Sequence, residues 1–73
     1  MIPSQIKEEV RTIFAGKVST VFQGRVDTTL VAADTGEISL DAALTKIEKM
    51  AALFIGDAEA RAIQRLKSRA PLP

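Results

Sequence analysis

The chain contains no cysteine, histidine, tryptophan or tyrosine, and its only aromatic residues are three phenylalanines. Without cysteine there is no disulfide and no thiolate metal ligand. Without histidine, the commonest metal ligand and the usual general base are also missing. Most nucleophile and base pairs used in covalent catalysis therefore lose a member, and the serine and lysine residues that remain show no supporting spacing. The four glycines are scattered and fit neither the dinucleotide-binding nor the nucleoside-triphosphate-binding loop. The sequence reads as a non-enzyme, with no catalytic residue, metal site or cofactor expected.

Long apolar runs are absent too. No stretch approaches the roughly 18 apolar residues of a membrane span, and the N-terminus lacks the basic region and apolar run of a secretory signal. These absences lead us to expect a cytoplasmic protein with no membrane contact. Ten basic and nine acidic residues leave a net charge of +1, so no strong overall field is expected.

Apolar material, by contrast, is plentiful. Hydrophobic residues make up 47% of the 73 positions, which is ample for folding. A chain of this length buries only about 60–65% of its unfolded surface. Residues 1–73 are read as one small domain, with 70–73 a flexible tail because neither Pro71 nor Pro73 can continue a helix. Much apolar material in so little interior favours self-association.

The clearest signal runs from Ser39 to Ile55. On a helical projection Leu40, Ala43, Leu44, Ile47, Met50, Ala51, Phe54 and Ile55 share an arc of roughly 140°. Ser39 is suited to the N-cap, Asp41 to the first turn and Gly56 to a left-handed stop. Leu53 falls outside the arc, in the polar sector with Lys46 and Lys49, and marks a candidate contact with a second subunit or partner.

Before this helix, Met1–Ala15 reads as a first helix with Ser4 as a possible cap and Ile6, Val10, Ile13 and Phe14 inward. Residues 18–33 are rich in valine and threonine, with Gly24 placed for a reversal, and suggest a short β-hairpin. The alternative for this stretch is a helix bent at Gly24. Asp34-Thr35-Gly36-Glu37 reads as a turn. After Gly56, a last helix capped by Asp57 runs to about Arg69. The preferred fold is thus α+β, in the order helix, β-hairpin, helix, helix. An all-α bundle is the alternative.

Two short strings resemble known sites. Asp34-Thr35-Gly36 resembles the Asp-Thr-Gly of aspartic proteases, but those enzymes need two such carboxylates and several strands after the first, where this chain has its strongest helix. Gly36-Glu37-Ile38-Ser39 looks like part of a calcium-binding loop, yet Val31, Ala33 and Ala42 stand where oxygen ligands are needed. Both strings are read as a turn leading into a cap.

The remaining feature is basic. Arg61, Arg65 and Arg69 recur every four residues along the last helix, with Lys67 at their flank. Residues 57–73 hold four basic and two acidic side chains, whereas residues 17–41 hold two and four. Such a row can pair with the carboxylates of another chain or track phosphates. The expected function is a non-catalytic protein–protein interaction or assembly subunit that self-associates, forming a homo-oligomer or part of a larger assembly, with an acidic protein surface as a possible partner. The alternative is a small nucleic-acid-binding accessory protein using the basic face. Leu53, Lys46, Lys49, Arg61, Arg65, Lys67 and Arg69 are the candidate interaction residues.

Overall fold

A computed structural model describes residues 3–69 as four helices: α1 (Ser4–Phe14), α2 (Thr20–Asp34), α3 (Leu40–Phe54) and α4 (Asp57–Arg69). No strand occurs among the described residues. The fold is an all-helical bundle and the expected α+β hairpin is wrong.

The hairpin region is α2. Ser19 begins it by accepting a hydrogen bond from the Phe22 backbone N–H through its hydroxyl, as an N-cap does. Val26, Leu30 and Ala33 then bury one face at helical spacing. The threonines that suggested a strand are accommodated by bonding back one turn: Thr28 donates to the Gly24 carbonyl and Thr29 to that of Arg25. Gly24 is not a reversal point. It sits inside the helix with a negative φ. No sheet edge is therefore available for self-association among the described residues.

The other helices follow the sequence more closely. Ser39 caps α3 by accepting from the Ala42 N–H at 3.0 Å, and Asp41 lies in the first turn. Gly16 and Gly36 have φ of +72° and +85°, and Gly36 ends α2 in the left-handed region while Glu37 N–H returns to the Ala32 carbonyl at 2.9 Å. Gly56, expected to be left-handed, is not. Ser4 does not cap α1, which starts after Pro3 without a side-chain cap. The expected tail at 70–73 lies outside the described residues, as do the first two residues of the expected first helix.

The core gathers all four helices. Val10, Phe14, Val26, Leu44, Ile47 and Ile63 are fully buried, as are the small Ala43 and Ala51, which let neighbouring helices approach α3. The tightest packing is between α3 and α4, joined through the short Ile55–Gly56 connection. Phe14 lies 6.1 Å from Phe22, whose ring meets Phe54 edge-on at 4.9 Å. Phe54, read from sequence as a core residue, is 64% exposed.

Ion pairs stitch the helices across the surface. Lys7 reaches Asp34 at 2.8 Å, Arg11 reaches Asp27 at 3.2 Å and Lys17 reaches Glu59 at 2.9 Å. Such solvated pairs contribute about 0–1 kcal/mol each, so they orient the helices more than they hold them. The Lys17 side-chain hydrogen bond, followed by the backbone N–H of Glu59 itself, keeps the Glu59 carboxyl below its ordinary 4.5. Because that pKa is lowered on folding, its contribution is present above the unfolded value and lost as pH falls through the folded one. The stability gap between wild type and Glu59→Gln should therefore be seen at neutral pH and close below 4.5. Urea titrations across that range would show it, and a gap that widened in acid would refute the assignment.

Candidate functional site

The expected interaction residues fall on separate surfaces. Leu53 is 78% exposed, and Lys49 and Lys46 lie one and two turns before it on the same side of α3. Neither lysine has an ion-pair partner among the described residues. Arg61, Arg65 and Arg69 are exposed on α4 in a row. Lys67 is apart from that row: half-buried, it points towards α3 and approaches Asp41 at 4.0 Å.

The first surface is the outside of α2 and α3. All the large apolar side chains left strongly exposed among the described residues belong to these helices: Val21, Val31, Leu53 and Phe54. The Lys7–Asp34 and Arg11–Asp27 pairs set α1 against one flank of α2. Arg25 is exposed on the opposite flank, and Val21 stands at its outer margin. The Phe22–Phe54 contact joins the start of α2 to the end of α3. Val21, Gly24, Thr28 and Val31 recur at helical spacing on the outer side of α2, and nothing lies within 4 Å of where a side chain on Gly24 would begin. Sequence reading missed Val21, Val31 and Phe54. The first two were assigned to a strand, and the third to the core.

The second surface is an open groove of about 670 Å³ between α1 and α4. Ile13, Ala62 and Leu66 supply apolar lining, Arg65 stands on the α4 bank, and Glu9 and Arg69 meet across it. Arg69 Nη2 donates to both Glu9 carboxylate oxygens at 3.0 Å. That pair and Leu66 also line a smaller recess of about 240 Å³ reaching Pro3. Arg61 and Arg65 have no ion-pair partner among the described residues. The arginine row is thus one neutralised member and two open ones. Glu9 was not singled out from sequence, since nothing local announces a partner 60 residues away.

None of the described helices is long and apolar enough to cross a membrane. No protein-family model, no curated protein and no solved structure matches the chain.

Proposed function

We propose that the protein is a non-catalytic assembly module that self-associates through the outer face of α2 and α3. One observation carries this reading: Val21, Val31, Leu53 and Phe54, at 56–78% exposure, are confined to two adjacent helices. Scattered exposed leucines are ordinary, but large apolar groups exposed together on adjacent helices suit an association surface. A second copy suits the α2 part of the face. The row of Val21, Gly24, Thr28 and Val31 carries no charge, with Arg25 on one flank and Asp27 on the other. Two α2 helices placed parallel about a twofold axis bring each Arg25 beside the second copy's Asp27, which would then be shared with Arg11, so opposite charges meet on both sides.

Val21→Asp with Leu53→Asp tests the proposal, since both side chains are too exposed for the change to damage the core. Light scattering across dilution should give a dimer or larger species for the wild type and a monomer for the double variant, both with the same helical circular dichroism. A wild type that stays monomeric at high concentration would overturn it. The nucleic-acid reading is weaker, because carboxylates already engage Arg69 and Lys67 and leave only Arg61 and Arg65 of that set for phosphates.

A further inference from the structure

We propose that the groove between α1 and α4 receives an acidic amphipathic helix from another protein. This is a second docking site, independent of the α2–α3 face. The apolar side chains of that helix rest on Ile13, Ala62 and Leu66, and its carboxylates pair with Arg65 on the groove's bank and with Arg61, one turn before it on α4 and outside the groove lining.

Three observations select this occupant. The groove, at about 670 Å³, has an apolar floor with cations along one bank only, which suits an amphipathic element lying lengthwise. The arginines are four residues apart, about 6 Å along the helix, the same interval as carboxylates four apart on a partner helix. An amphiphile with a single acidic head would use one of them. The molecule also shows the contact itself: Glu9, a carboxylate projecting from a helix, already sits on Arg69 and accepts from its Nη2 through both oxygens. The incoming helix extends that pattern up the row.

The same features weigh against other occupants. A phosphate chain has no apolar side chains to set on the floor of Ile13, Ala62 and Leu66. A second copy of this chain is poorly suited, because within no described helix do two acidic residues stand four apart.

The test is an amide-resolved nuclear magnetic resonance titration with a synthetic helical peptide bearing leucines on one face and glutamates four residues apart beside them. It is run on the Val21→Asp, Leu53→Asp variant, so that self-association and groove binding succeed or fail separately. Saturable shifts are expected at Ile13, Ala62 and Leu66. Arg65→Glu should weaken binding at least about tenfold, and a peptide with lysines for glutamates should not bind. Absence of saturable shifts up to about 1 mM peptide, equal binding by Arg65→Glu, or shifts confined to α2 and α3 would each overturn the proposal. So would saturation of the groove by dodecanoate with an affinity matching the peptide's, since one carboxylate would then suffice.

Discussion

Replacing Phe14 with alanine is expected to remove about 3–5 kcal/mol of stability. Phe14 is completely buried at the end of α1, and its ring lies beside Phe22. Truncation leaves a cavity between α1 and the Phe22 ring of α2. A 73-residue chain has a total stability on the order of 4–11 kcal/mol, so the variant should lose a large fraction of it. Phe54→Ala provides the scale, because that ring is 64% exposed and less of it is removed from water. Urea denaturation followed by circular dichroism should show a large fall in midpoint for Phe14→Ala and a small one for Phe54→Ala. Equal losses would mean that the aromatic row is not organised around Phe14.

The second large effect concerns Gly24, and its sign depends on the substitution. In the interior of α2, proline removes a helical N–H and clashes with the preceding turn, costing about 3 kcal/mol or more. Alanine should instead stabilise by about 0.5–1 kcal/mol, since glycine there is conformationally costly and the added methyl meets nothing within 4 Å. A hairpin turn at Gly24 would give a different result, with proline tolerated and alanine neutral or harmful. Thermal melts of the two variants at low protein concentration separate these cases. Destabilisation by alanine together with tolerance of proline would refute the helical assignment.

These glycine variants bear on why α2 could not be read correctly while its neighbours could. In α3 the apolar residues keep mostly to one side, so Ser39, the buried positions Ala43, Leu44, Ile47 and Ala51, and the exposed Leu53 were all legible. In α2, Phe22, Val26, Leu30 and Ala33 turn inward while Val21 and Val31 turn outward. Two apolar rows on opposite sides erase the 3.6-residue period and leave composition as the main guide. Valine and threonine then favour a strand. The outcome was decided by what a local reading does not weigh, namely the Ser19 cap and burial against α3. Had the helix been accepted, the spacing of Val21, Gly24, Thr28 and Val31 would have disclosed the outer row. The arginine row of α4 was visible in sequence, but the groove beneath it was not. It depends on where α1 lies, and Glu9 reaches Arg69 only once the chain has closed on itself.

The manner in which α1 is attached has a consequence for how the molecule comes apart. Ile6, Val10 and Phe14 are its buried anchors, and its links to α2 and α4 include the partly solvated pairs Lys7–Asp34, Arg11–Asp27 and Glu9–Arg69. The α3–α4 pair, in contrast, is joined by a short connection and the tightest packing in the bundle. Contacts close in sequence form with little loop entropy, and densely packed units open last. The bundle is therefore expected to open in stages, α1 before the α3–α4 hairpin, an order that amide hydrogen exchange would check. Detachment of α1 also removes one bank of the groove, so a ligand bound there would close the ring of helices and raise the protection of a segment it only partly touches.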